Sequence, residues 1–323
     1  MRRLHVQKSA FYPSHNNNSP EFGLLFDLMT DQSVRVRRAT SDDRARILEI
    51  SAQIWGGDDY VPELLDGWFV DREGEVVVAT LDEYVIAFAH RTWLCPGIAW
   101  FEGIRTDPSL ESRGAAKAIT QYLISSARDA GATHIELSTY IDNEASIHII
   151  ESYGFQLVAT FSHLERPTEL APPKGEVDSS RIRAISERET TTFVGNSEFL
   201  ALAQRRFPRG WRFFPFDHDP CEATARLECR LGFWEADELK AILCIRQSPD
   251  DEGGITINFL DGEPAAMRAL LNHALKLYQG RTMMMMVPIH QGHHAAALEL
   301  LREVGFTSWS EFKADVFAYE MLL

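Results

Sequence analysis

The residues whose spacing suggests chemistry lie in Phe101-Glu102-Gly103-Ile104-Arg105-Thr106-Asp107-Pro108-Ser109-Leu110-Glu111-Ser112-Arg113-Gly114-Ala115-Ala116-Lys117. The run reads as a strand, a short loop and a helix that opens on small residues. A helix start gathers backbone N–H groups that lack intrahelical acceptors at the positive end of the macrodipole, which suits a pyrophosphate. Gly114, Ala115 and Ala116 keep side chains out of the way, and Arg113 and Lys117 add positive charge beside them. An ordinary strand–helix connection has the same appearance, so the motif alone leaves both readings open. Other polar clusters offer less. His290-x-x-His293-His294 has no carboxylate or cysteine at ligand spacing, so loop or helix-cap histidines are expected and no metal. Met283–Met286 reads as an apolar core strand, and no Ser-His-Asp or Cys-His arrangement is legible from residue order.

The elements that position this run follow from periodicity. Val34-Arg35-Val36-Arg37 alternates like a half-buried strand, and Thr40-Ser41-Asp42-Asp43 caps a helix carrying Ile47, Ile50 and Ile54. A second helix is predicted over Pro62–Phe69, then strands over 76–81, 85–93 and 99–106. A long helix over 114–130, a strand over 134–140 and a helix over 144–153 follow, the last closed by Gly154-Phe155. This alternation implies a mixed α/β sheet. Near the C-terminus the order returns: strand 255–260, helix 264–278, strand 282–289 and helix 294–304, closed by Gly305-Phe306. The repeated helix-Gly-Phe ending suggests an internal duplication. The expected division is an extension over 1–33, a first domain over 34–165, a linker over 166–179 rich in Pro and charge, and a second domain over 180–323. Met29-Thr30-Asp31 reads as a plausible start, with residues 1–28 an upstream extension.

Composition narrows the class. With 323 residues, 45% hydrophobic and 24% charged, the chain reads as a globular protein of about two domains. The 47 acidic and 32 basic residues give a net charge of −15, which disfavours nucleic acid and anionic lipid and mildly favours a cationic or zwitterionic small substrate. Cys95, Cys221, Cys229 and Cys244 have no paired spacing, and neither a membrane span nor a signal-type apolar segment is legible, so a cytoplasmic protein with free thiols is expected. Oligomeric state is not readable.

The whole arrangement resembles the GNAT superfamily of N-acetyltransferases, whose acetyl-CoA loop reads Arg/Gln-x-x-Gly-x-Gly/Ala after a strand ending in an aliphatic-x-Pro step. Glu111-Ser112-Arg113-Gly114-Ala115-Ala116 fills that frame after Thr106-Asp107-Pro108. Asn143-x-x-Ser146 followed by Tyr153-Gly154-Phe155 matches the superfamily's second cofactor element. The resemblance spans residues 34–163. It implies tandem GNAT-like mixed sheets flanked by helices, the second domain degenerate, with acetyl-CoA as co-substrate. It further implies that backbone groups of Ile104 and Thr106 pair with pantetheine, with Arg105 between them counted among the cofactor contacts, that Ser112 to Lys117 hold the pyrophosphate, and that Asn143 faces the cofactor. Two departures stand out. Glu111 occupies a position usually Arg or Gln, and Ile150 stands where the family often has a Tyr that protonates the thiolate.

Amide formation needs an uncharged amine, so some group must take a proton. Glu102, on the strand leading into the turn, is the expected base or ammonium anchor; a purely structural acid is the alternative. Tyr153, one turn beyond Ile150, is a candidate proton donor to the leaving thiolate, although it also suits a core position. Trp55-Gly56-Gly57-Asp58-Asp59-Tyr60 lies where GNAT folds wall the acceptor, so Trp55, Asp59 and Tyr60 are expected to clasp a cationic or imidazole-bearing amine, unless the segment is a tight interhelical turn. With the Glu102-Gly103-Ile104-Arg105 step and the divergent second half, this segment resembles the vertebrate histidine N-acetyltransferases, implying acetylation of histidine or a similar amino acid. The rivals are other amines (a polyamine, an aminoglycoside or a protein N-terminus) and a catalytically silent acyl-CoA sensor. Leu260-Asp261-Gly262-Glu263-Pro264 offers phosphate no cradle, so the second domain is expected to be structural, with one cofactor per chain.

Overall fold

A computed structural model describes residues 34–110, 114–173, 178–225, 227–247 and 254–323. The extension over 1–33, Glu111, Ser112 and Arg113 of the turn, and 174–177 of the linker lie outside the described residues. Two compact units result: one runs up to Trp93 and resumes over Ala99–Thr133, the other comprises Leu94–Ile98 and His134–Leu323.

The first unit contains β1 (Arg35–Arg38), α1 (Arg44–Ser51), α2 (Val61–Val70), β2 (Glu75–Leu81), β3 (Tyr84–Cys95), β4 (Ile98–Thr106) and α3 (Ala115–Asp129), with sheet order β1-β2-β3-β4. The periodicity-based elements are found within a few residues of their expected bounds. Ile54 differs: it opens a short 3-10 turn, because Trp55 (φ 47°) and Gly56 (φ 72°) take left-handed conformations that end α1 early. β2 and β3 are buried on both faces. Ile47, Ile50, Val61, Leu65 and Trp68 from α1 and α2 pack on Val76, Val78, Val85 and Phe88. Because side chains alternate along a strand, and His90 and Phe88 stand opposite Val76 and Val78, His90 shares the face turned toward α2. Arg91 falls on the other face, where its guanidinium meets Glu75 at 3.0 Å and Ser126 of α3 bonds the same carboxylate.

The second unit opens with β5 (His134–Tyr140), α4 (Glu144–Ser152) and β6 (Gln156–Arg166). It continues through β7 (Ile182–Ala184), α5 (Glu187–Gly195), α6 (Glu198–Leu202), the β8–β9 hairpin (Arg206–Arg209, Arg212–Pro215), α7 (Pro220–Ala225), β10 (Cys229–Glu235) and β11 (Glu238–Gln247). It ends with β12 (Ile255–Gly262), α8 (Pro264–Leu277), β13 (Met283–His290), β14 (His293–His294), α9 (Ala297–Glu303), β15 (Thr307–Ser308) and β16 (Val316–Leu322). Its strands run β5-β16-β6-β13-β12-β11-β10-β7, antiparallel except where β12 and β13 pair in parallel. The C-terminal β16 therefore inserts between β5 and β6, while β6 runs on to pair with β13 and β15. Residues after 134 are hydrogen-bonded into the C-terminal strands, which accounts for the division of the compact units between Thr133 and His134. The helix endings repeat in geometry as well as in sequence. Gly154 (φ 91°) and Gly305 (φ 93°) each close a helix in the left-handed conformation, followed by fully buried Phe155 and Phe306. Among the described residues no helix is long and apolar enough to cross a membrane.

A buried acid beside a half-buried one is expected to make this unit pH-sensitive. Glu136 and Glu320 stand opposite each other on β5 and β16 and share the Arg206 guanidinium. Burial pushes the Glu136 carboxyl up to about 8; Arg206 opposes this and the Glu320 charge adds to it. The folded carboxyl thus keeps a proton that the unfolded chain releases near 4.5, so stability is full below that pH and is lost as pH rises through about 8. Denaturant titrations between pH 6.5 and 9 should show wild type weakening as pH rises and Glu136→Gln nearly flat across the window; parallel curves would contradict the assignment.

Candidate active site

Glu102 sits in β4 with its side chain one-tenth exposed. One carboxylate oxygen lies 3.0 Å from His90 Nδ1, and the other accepts the Trp100 indole N–H at 3.0 Å. Both carboxylate oxygens are thus held by neighbouring rings. Trp68 of α2 stacks on His90, ring centroids 4.6 Å apart and planes 13° off parallel. Asp71, just past α2, accepts from Thr92 Oγ1 at 2.8 Å and from the Glu73 and Gly74 amides at 3.0 Å each. Burial pushes the Asp71 carboxyl up, but those bonds and the neighbouring imidazole outweigh it and hold it below its ordinary value.

Gly103 takes φ +64° inside β4, and a Cβ there would lie 2.4 Å from Trp68 Cη2. Only glycine meets both the left-handed backbone and the contact with the indole. This is the strand position that sets Glu102 and Trp68 beside each other.

The Trp55–Tyr60 segment already holds a cation, and it is internal. Arg105 Nη2 and Nε reach the Asp59 carboxylate at 2.9 and 3.2 Å, while the guanidinium lies 4.6 Å from the Trp55 ring centre and 5.2 Å from that of Tyr60. Ser51 Oγ also donates to Asp59 at 2.8 Å. The Asp59 charge is therefore matched within the protein, and the Arg105 side chain points to the α1–α2 segment. Burial raises the Tyr60 hydroxyl's pKa, with Arg105 opposing and Glu102 and Asp59 adding to the rise. That coupling places the Tyr60 phenol within electrostatic reach of Glu102.

At the turn, Ile104 and Thr106 are half-buried at the end of β4. Asp107 then organises the loop: it accepts from the Ser109 amide at 2.8 Å and hydroxyl at 2.7 Å, and it pairs with Arg46 of α1. Burial pushes Asp107 up, but the Ser109 and Arg46 contacts hold it below its ordinary value. Gly114 caps α3 in the left-handed conformation (φ 75°), and the space where a Cβ would stand is open, with nothing within 4 Å. Ala115 is buried, Ala116 half-buried and Lys117 exposed. Helix geometry leaves the first-turn amides without intrahelical acceptors, so this donor set fits a phosphate group. Replacing Asp107 with Ala should cost about 2–4 kcal/mol of stability, since it strands the mostly buried Arg46 charge. It should also raise KM for acetyl-CoA more than it lowers kcat; urea unfolding and steady-state rates check both.

Asn143 and Tyr153 belong to the second unit. Asn143 caps α4 and donates to Thr139 Oγ1 at 3.2 Å; Tyr153 follows the helix and is half-buried, while Ile150 is buried. His290 and His293 pair across the β13–β14 hairpin, and His294 lies 3.5 Å from Glu299. No group of three or more His, Cys, Asp or Glu among the described residues could hold a metal. Sequence reading missed His90, Asp71 and Trp68. The available signal was a polar His90-Arg91-Thr92 step inside an otherwise apolar central strand.

Comparison with known proteins points to the same fold. Residues 43–155 match the acetyltransferase (GNAT) family model. The fold resembles a GCN5-related N-acetyltransferase from Sphaerobacter thermophilus (15% identity, 90% of this chain and 95% of that chain, TM-score 0.58). It also resembles the structure of a GCN5-related glucosamine N-acetyltransferase region in a fungal multi-domain GH3 β-N-acetylglucosaminidase (14% identity, 90% of this chain and 38% of that chain, TM-score 0.58). No curated protein sequence matches the chain. The chain thus has a GNAT-like fold, and residues 43–155 are the part that matches the acetyltransferase family.

Proposed function

We propose that this enzyme transfers the acetyl group of acetyl-CoA to the amino group of a small amine, histidine or a similar amino acid, with one cofactor bound per chain. The observation that carries the reading is the Glu102 carboxylate, fixed between His90 and Trp100 on the strand that runs into the phosphate-type turn. Acetyl-CoA supplies the activated acyl group. The backbone of Ile104 and Thr106 on pantetheine, Ser112 to Lys117 around the pyrophosphate, Asn143 as cofactor contact and Tyr153 as thiolate proton donor rest on the family resemblance, and the open space at Gly114 supports the second of these. Glu102 takes one proton from the substrate ammonium. As the C–N bond forms and the thioester C–S bond breaks, the second amine proton leaves with the thiol, and Glu102 returns its own to water.

The Arg105–Asp59 pair bears on the substrate. A polyamine acceptor calls for uncompensated acid near the site, yet the acid here is neutralised internally, which supports a zwitterionic amino acid over a polycation. Trp55 and Tyr60 then serve as aromatic walls. The second half is read as a degenerate GNAT-like domain of structural role, supported by its repeated helix endings and strand order. An amine panel with acetyl-CoA, followed by free-thiol release, tests the reading. Turnover on histidine is expected; silence there with robust release on spermidine overturns the substrate, and tight acetyl-CoA binding without turnover on any amine favours a silent acyl-CoA sensor.

A further inference from the structure

We propose that His90 is the positioning residue of Glu102 and that Asp71 faces the far nitrogen of its ring, so that a carboxylate–imidazole–carboxylate row stands behind the base. The inference rests on the assignment of Glu102 as base. Three separate elements build the row: β4 supplies Glu102, β3 supplies His90, and the segment after α2 supplies Asp71. His90 Nδ1 contacts Glu102 at 3.0 Å, and with Trp100 on the other oxygen the carboxylate plane is fixed.

The far side of the ring carries the argument further. His90 is 2% exposed, and its Nε2 is buried with no hydrogen-bond partner among the described residues. A buried polar atom left unpaired is costly, so a structural role alone gives no reason to keep it. The acid it faces is Asp71, whose Oδ2 stands 3.9 Å away. That is beyond hydrogen-bond length, yet within the range where opposite charges shift each other's titration by a unit or more. Asp71 is held in place from three sides and is 28% exposed, which leaves it ionised and in touch with water. Trp68 lies flat on the imidazole, so the ring keeps Nδ1 on Glu102 and Nε2 toward Asp71, and an aromatic face also favours a cationic partner.

The remaining surroundings bring little competing charge. Opposite His90 on β2 stands Val76. Tyr60 reaches Glu102 electrostatically, and the Arg105–Asp59 pair beyond it is internally balanced. In this row a proton held by the imidazole stands between two carboxylates, with Nδ1–H on Glu102 and Nε2–H toward Asp71. Removing the Asp71 charge takes away one of the two acids that flank it.

The test is the acid limb of kcat/KM against pH in four variants, with circular dichroism and acetyl-CoA binding confirming the fold. Asp71→Asn keeps an acceptor for the two amides and turns an amide donor to the Thr92 hydroxyl, which can accept, while removing the charge; its acid limb should move up by about one pH unit. His90→Gln can still donate to Glu102 without carrying charge. Its limb should move the same way while the plateau rate stays within a few-fold of wild type. His90→Ala removes both contact and charge, and its plateau should fall about 10–100-fold, as for loss of a positioning hydrogen bond. Wild-type profiles for Asp71→Asn and His90→Gln, alongside an inactive Glu102→Gln, would overturn this proposal alone. A wild-type rate for Glu102→Gln would remove the base itself and this proposal with it.

Discussion

Replacing Glu102 with glutamine is expected to lower kcat by about 10²–10⁴-fold and to leave acetyl-CoA affinity within a few-fold of wild type. Glutamine has nearly the same shape, and its carbonyl can still accept the Trp100 N–H. What disappears is the ability to take a proton, so the loss should fall on the rate rather than on cofactor binding. Steady-state kinetics separate the roles left open by the sequence. A general base lost from the reaction lowers kcat and kcat/KM together, whereas an ammonium anchor lost from binding raises KM for the amine with kcat preserved. A structural acid would show itself in neither constant but in the unfolding midpoint. The rate effect should also diminish at high pH, where more of the amine arrives without its proton and less depends on a base.

The site's legibility in the sequence follows physical range. Local signals were readable: the alternation of β1, the apolar runs of β2 and β3, the period of α3, and the small residues at its start all rest on contacts within a few residues. The turn and Glu102 were legible for that reason. His90 and Asp71 were not, because what makes them a pair with Glu102 is the registry of β3 beside its neighbours and the place where α2 ends. The Arg105–Asp59 contact spans 46 positions, and both residues drew separate readings as ligands of different molecules before the structure joined them. The second half was harder still. Residues 182–247 hold β7 to β11 with short helices between, and their mixed burial left no clean period to read. The insertion of β16 between β5 and β6 joins residues far apart in sequence, and no composition signal at the linker could have announced it.

Gly103→Ala is expected to destabilise the first unit by about 2–5 kcal/mol and to depress activity at the same time. The backbone at φ +64° costs an alanine about 1–2 kcal/mol. The new methyl, built 2.4 Å from Trp68 Cη2, adds an overpacking strain of about 1–3 kcal/mol. Trp68 has little room to retreat, since it is buried among Leu65, Val76 and the other residues of the α1–α2 core. Any shift it does make is passed to the His90 ring stacked on it and from there to the Glu102 carboxylate. Gly131→Ala isolates the two contributions: its φ is +88° with nothing within 4 Å of the added Cβ, so only the backbone cost of about 1–2 kcal/mol should appear, with activity unchanged. Equal losses in the two variants, measured by urea unfolding, would mean that the indole yields freely and that Gly103 is there for its backbone alone. A larger loss for Gly103→Ala accompanied by a fall in kcat would tie the left-handed step in β4 to the placement of the base.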